Sequence, residues 1–177
     1  MKKVFITATI VLVWVFVSCK DSTSANLPTS TTDSTSQAEK NTANTNAVYR
    51  GIETGDLSVM DSFVAVDVVD HAGMMGEING RDSVKKMLAD IHNHISNIKI
   101  DLISDATGGE YHFALTRRTG TTKDNMMGMP ANTPIDHTTV DVVRMVNGKA
   151  KEHWSFADLQ EMMKMMNIKN PGSKMAK

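Results

Sequence analysis

The chain has 177 residues, a length that suits one domain with a tail. Its 19 basic and 20 acidic side chains leave a formal charge of -1. So even a balance supplies no long-range field to gather nucleic acid, and a nucleic-acid partner is not expected.

Lys2 and Lys3 precede an apolar run over residues 4–17 that is broken only by Thr7 and Thr9. The run is shorter than the roughly 20 residues a bilayer span requires and has the length of a secretory h-region. It ends in Phe16-Val17-Ser18-Cys19, with a small residue before the only cysteine in the chain. This resembles the bacterial lipobox, with Phe16 in place of the usual Leu. A lone cysteine cannot form an intramolecular disulfide, and lipidation gives the thiol of an exported protein another purpose. The other reading is an uncleaved anchor helix with an incidental cysteine. The expectations are a signal peptide over 1–18 and attachment to the membrane through lipid on Cys19. The protein would then sit in the cell envelope at the outer membrane, on the periplasmic face or the cell surface.

Residues 20–46 are dominated by Ser, Thr, Asn and Ala, with Leu27 as the one large apolar exception. Such a segment buries too little surface to offset the entropy of ordering its backbone. A disordered tether is therefore predicted over 19–46.

From Ala47 the apolar residues become regular. Val48, Ile52, Leu57, Met60 and Phe63 recur at helical spacing around Gly55-Asp56, which predicts two short helices joined by a tight corner. A short β-branched strand follows over 64–71, then a loop from Gly73 to Gly80. Asp82 or Ser83 is expected to cap a helix with an apolar stripe at Val84, Met87, Leu88, Ile91 and Ile95. The period then changes to two at Ile98, Ile100 and Leu102, and a turn at Gly108-Gly109 leads to a second strand over 111–120. A Met-rich loop precedes a third strand over 135–146, the Asn147-Gly148 turn and a fourth strand over 149–156. Asp158 caps a final helix with Leu159, Met162, Met163 and Met166. Helices, a meander of antiparallel strands and a closing helix make an α+β arrangement, with the helices over one face of a curved sheet.

The hairpin from Asp141 to Lys149, followed by Glu152-His153-Trp154 and Asp158, resembles the C-terminal signature of the SnoaL-like (polyketide cyclase-like) branch of the nuclear transport factor 2-like superfamily. Gly55-Asp56-Leu57, His71 with Gly80-Arg81-Asp82-Ser83, and Gly120-Thr121 with Gly128-Met129-Pro130 resemble other segments of that family, in order. The resemblance implies a domain over 47–167, followed by a tail over 168–177. It implies a cone-shaped barrel, nuclear transport factor 2-like or cystatin-like, in which a curved antiparallel sheet and three to four helices enclose an apolar pocket. It also implies a homodimer through the outer sheet face. The implied pocket residues are Tyr49, Met126, Met129, Trp154, Ser155 and Asp158. In the family's cyclases an acid follows the Glu-His-Trp-type motif, and Ser155 occupies that position here. Asp141 occupies the position of the cyclases' assisting histidine, and Thr122 that of a second histidine. These three differences argue against transferring the cyclase reaction.

Asp141 lies between Val140 and Val142, and a carboxylate buried without a partner is expensive. His153 is the natural partner, since its strand pairs with that of Asp141 across Asn147-Gly148. The two could form a general base with its orienting carboxylate, helped by His71 at the pocket mouth, or a structural hydrogen bond closing the sheet. Alternation puts Lys151, His153 and Ser155 on one face and Glu152, Trp154 and Phe156 on the other. The family resemblance favours the His153 face as pocket, whereas the apolar Trp154 and Phe156 favour the opposite one. His112 and His137 read as strand-surface residues, and a loop position is the other reading of His71. His92 and His94, two apart in a helix, point in different directions and are not a metal pair, and no cofactor or metal motif is present. The 14 methionines could line an adaptable cavity or simply fill gaps. The expected function is a pocket for a small apolar or amphipathic molecule. The alternative is an isomerase-, cyclase- or hydrolase-type enzyme using His153 with Asp141.

Overall fold

The computed structural model describes residues 31–73, 76–126 and 128–166. The expected signal peptide, Cys19, the tail and Met74, Met75 and Met127 lie outside the described residues. Helix α1 (Thr31–Thr54) leads through a 3-10 turn (Leu57–Val59) to the short α2 (Met60–Phe63). Strands β1 (Val64–Asp70) and β2 (Ile78–Asn79) precede α3 (Arg81–His94). Strands β3 (Ile95–Gly108), β4 (Tyr111–Thr122), β5 (Pro134–Val146) and β6 (Lys149–Ala157) follow, and α4 (Leu159–Met165) closes the described fold.

The six strands form one sheet in the order β2-β1-β6-β5-β4-β3. Strands β3 to β6 are the expected antiparallel meander. The sheet as a whole is mixed, because β1 lies parallel to β6. A parallel pair needs a long crossover, and here α3 and the whole meander intervene. This pairing matters for the site, since it sets Asp70 beside His153. The β5–β6 turn is the one expected from Asn147-Gly148, with φ of 51° and 74°.

Leu57, Met60, Val64, Val68 and Val84 form the main core, against which Val48, Ile52, Met87 and Leu88 pack. The stripe read from the sequence of α3 thus covers β1. A second cluster joins Tyr49 of α1 to Ile100 and Ala114 on β3 and β4. Gly55, at φ 82°, ends α1, and Asp56 caps the next turn by accepting from the Ser58 amide at 3.1 Å.

Three expectations are corrected. The helix begins at Thr31, so residues 31–46, whose composition pointed to a tether, are helical. Their face toward the sheet is polar and is satisfied by hydrogen bonds: Asn41 is buried and bonded to Gln37, and the Thr42 hydroxyl donates to the Asp105 carboxylate. Extending a helix already nucleated by the apolar 48–52 segment is cheaper than starting one. Helix α3 is capped by neither Asp82 nor Ser83: its N-cap is Gly80, at φ 86°, with no side-chain bond. His112 is not a surface residue but fully buried, with Nδ1 3.1 Å from Thr107 Oγ1.

Candidate functional site

Successive side chains of a strand point to opposite faces, and the ladders fix which residues share one. Ala114, Asp141 and Ser155 lie in one row across β4, β5 and β6, with Thr116–Thr139 and Arg118–His137 as the neighbouring rows on that face. The same face carries Tyr49, whose hydroxyl donates to Asp141 Oδ2 at 2.7 Å, so it is the side covered by α1.

Asp141 is the hub. Its Oδ2 accepts from Tyr49 and from Arg118 Nη2 at 2.5 Å, and its Oδ1 lies 3.6 Å from His153 Nε2. Ser155, directly across on β6, also helps to hold it ionised. The other nitrogen of His153, Nδ1, is 3.0 Å from Asp70 Oδ1. Asp70 is further held by the Ala72 amide at 2.8 Å. Two carboxylates therefore flank one imidazole.

Burial opposes the charges on Asp141, Asp70 and His153, and their partners outweigh that opposition. For Asp141, burial raises the pKa, but His153 and the Arg118 guanidinium hold it well below the usual carboxylate range. For Asp70, burial is likewise outweighed by His153. For His153, burial pulls the pKa down, while Asp141 and Asp70 raise it to about 9. Burial and the Asp141 charge push the Tyr49 phenol upward, so it stays a hydrogen-bond donor. At neutral pH the cluster holds an imidazolium and a guanidinium against two carboxylates.

These groups differ in access. The Asp141 and Asp70 side chains are 1% and 6% exposed, whereas those of His153 and Arg118 are 27% and 29% exposed. The carboxylates are shut behind the cations. Arg118 Nε and His137 Nδ1 are buried with no hydrogen-bond partner among the described residues. An unsatisfied buried donor costs on the order of 1–3 kcal/mol. Burial, and then the Arg118 charge, lowers the pKa of His137 and favours its neutral form.

Of the residues expected at the site, the structure brings Asp141, His153, Ser155 and Tyr49 together. It does not bring His71 or Trp154. On β1, Asp70 takes the inner face and His71 the outer one, where its ring stacks on Trp154 with centroids 4.6 Å apart. His71 Nδ1 lies 2.9 Å from Glu77 and Nε2 3.2 Å from Glu152. The His153 face is thus the one under the helices. Met129 is buried, and its backbone bridges to Met126 in the β4–β5 loop, beyond the Thr121–Pro134 pair that ends the ladder. Neither methionine joins the cluster. Asp158 caps α4 by accepting from the Gln160 and Glu161 amides at 2.8 and 3.0 Å.

Sequence reasoning missed Asp70 and Arg118 and read His137 as a strand-surface residue, whereas its Nδ1 is buried on the inner face. Parity was the available signal: Asp70 is in phase with Val68, and Arg118 with His112, Ala114 and Thr116. Among the described residues no cluster of three or more His, Cys, Asp or Glu could hold a metal ion.

The model of the SnoaL-like polyketide cyclase family matches residues 43–166. No curated protein matches the chain. Among solved structures, IdmH of Streptomyces antibioticus, provisionally a polyketide cyclase, is 19% identical with a TM-score of 0.62, over 72% of this chain and 98% of its own. A protein with a ketosteroid isomerase-like fold from Catenulispora acidiphila, in complex with trimethylamine, is 13% identical with a TM-score of 0.59, over 71% and 93%. A nuclear transport factor 2-like protein of unknown function from Burkholderia pseudomallei is 20% identical with a TM-score of 0.59, over 72% and 97%. These likenesses establish the nuclear transport factor 2-like, ketosteroid isomerase-like fold.

Proposed function

On the premise that this chain belongs to the SnoaL-like polyketide cyclase family, we propose that it binds a small amphipathic molecule between the helices and the inner face of its sheet, without turning it over. One observation carries this reading. Arg118 and His153 sit on the helix-covered face yet keep more than a quarter of their side-chain surface open, while the carboxylates that neutralise them are closed off. A few convergent polar groups left open on a covered face are a usual feature of a ligand site.

The enzyme alternative, with His153 and Asp141 as an acid/base pair, fits the family but meets a chemical obstacle. With its pKa raised to about 9, His153 is already protonated at neutral pH, and both its nitrogens face carboxylates. It therefore has no lone pair with which to accept a proton. Asp141, held ionised by His153 and Arg118 well below the usual carboxylate range, is a weak base.

Two further parts of the reading rest on other residues. Lipidation of Cys19 and residence at the outer membrane follow from the lipobox-like segment. Self-association through the outer sheet face is supported by Tyr111, Phe113 and Phe156, which lie exposed there.

Titration of the purified domain with the neutral fluorophore N-phenyl-1-naphthylamine tests the pocket. Saturable binding of about one probe per chain, weakened in Ser155→Phe, is expected. Absence of saturable binding overturns the reading, and a pH-dependent turnover lost in His153→Ala replaces it with the enzyme.

A further inference from the structure

The proposed binding reading leaves the polar end of the ligand undefined, and the charge distribution of the cluster defines it. Arg118 uses Nη2 on Asp141, while its Nε is a buried donor with no partner among the described residues. A guanidinium carries five N–H donors in a fixed plane, so one engaged nitrogen leaves capacity for an oxygen beside it. His137 stands directly across from Arg118 on β5, and its Nδ1 is also buried with no hydrogen-bond partner among the described residues. The third member, His153, is open to the same face.

The two carboxylates that pair with these cations are closed off from that face, while Glu53 and Glu161 are tied to the Ile100 and Thr138 amides at its edges. Asp141 is 1% exposed and engaged by Tyr49 and Arg118, with His153 beside it, and Asp70 is 6% exposed and bonded to His153 and the Ala72 amide. What a ligand meets is therefore the outer side of two ion pairs, each with its cation forward. Thr116 and Thr139, in the neighbouring row, bond to each other at 2.8 Å and add no charge.

Resting on the pocket reading, we propose that Arg118, with His137 and His153 beside it, receives an anionic oxygen of the amphipathic ligand, a carboxylate or an enolate. The ligand oxygen accepts from the guanidinium, and its apolar body lies toward Tyr49, Ile100 and Leu102. A cationic amine is excluded from this position by the same two cations.

Calorimetric titration with 2-naphthoate and its neutral isostere 2-naphthamide tests the inference, because the pair differs in charge and barely in shape. A charge-assisted bond is about twice as strong as a neutral one, so 2-naphthoate is expected to bind roughly tenfold or more tightly than the amide. Arg118→Met should equalise the two. Since that substitution also removes a partner of Asp141, a second measurement uses the wild-type protein: the Nε–Hε resonance of Arg118 shifts on adding 2-naphthoate and not on adding the amide. Equal affinity, tighter binding of the amide or an unmoved Arg118 resonance overturns the inference while leaving the pocket standing. If neither compound binds, the inference falls, and N-phenyl-1-naphthylamine decides separately whether the pocket falls with it.

Discussion

Asp70 and His153 are in-register partners across the parallel β1–β6 pair, and their side chains meet at 3.0 Å. A meander alone would give His153 one carboxylate, Asp141, from the neighbouring strand. Strand β1, added on the outer side of β6, supplies the second and turns the histidine from a candidate base into a fixed cation.

That change predicts how stability depends on pH. The His153 pKa rises from its ordinary 6.5 to about 9 on folding. Its contribution is fully present below about pH 6.5 and is lost as pH rises through 9. Asp141 and Asp70 are shifted downward, so theirs is present above the ordinary carboxylate value and fades in acid. The melting temperature should be highest between about pH 4 and 6.5 and decline toward pH 9. In His153→Gln the alkaline decline should flatten, as read by calorimetry across that range.

Asp141→Asn removes the hub while leaving Arg118 and His153 charged. Breaking a buried ion pair from one side costs about 3–5 kcal/mol, and urea denaturation should show a loss of that order. Tyr49→Phe deletes one hydrogen bond to the same carboxylate and should cost about 1–3 kcal/mol.

On the outer face, His71→Ala dismantles the stack on Trp154 and the contacts to Glu77 and Glu152. Affinity for N-phenyl-1-naphthylamine should stay within about twofold, since surface changes of this kind usually move free energies by less than about 0.5 kcal/mol. A large loss of affinity would place His71 back in the site.

Phe113→Asp with Phe156→Asp puts charge into the exposed apolar patch on that same face. Sedimentation should show weaker self-association with probe binding retained. An unchanged sedimentation profile would mean that this face is not the contact between copies.

The order of elements, the Asn147-Gly148 turn and the Asp158 cap were legible because each rests on local rules: period, positive φ and a side chain reaching its own backbone. The turn alone does not explain the contact of Asp141 with His153: an unbroken two-residue hairpin would set the two on opposite faces, and the register shift between Arg144 and Met145 brings both to the inner one. Asp70 was not legible, since its contact with His153 depends on a parallel pairing 83 residues apart in the chain. Arg118 and His137 lie on strands whose alternation shows which residues share a face but not which face is covered. The first half of α1 escaped notice because it is buried by Asn41, Thr42 and Thr45, residue types whose abundance ordinarily marks unfolded chain. Thr42→Val should speed amide exchange over residues 31–46, measured by hydrogen–deuterium exchange, and leave exchange in β5 unaltered.

If Cys19 carries lipid as proposed, the early start of α1 also limits how far the domain can stand from a bilayer. Were 19–46 fully extended, it would reach about 95 Å, but only residues 20–30 precede the helix, and those reach about 40 Å at most. A domain held through Cys19, as proposed above, would then work close against the lipid headgroups.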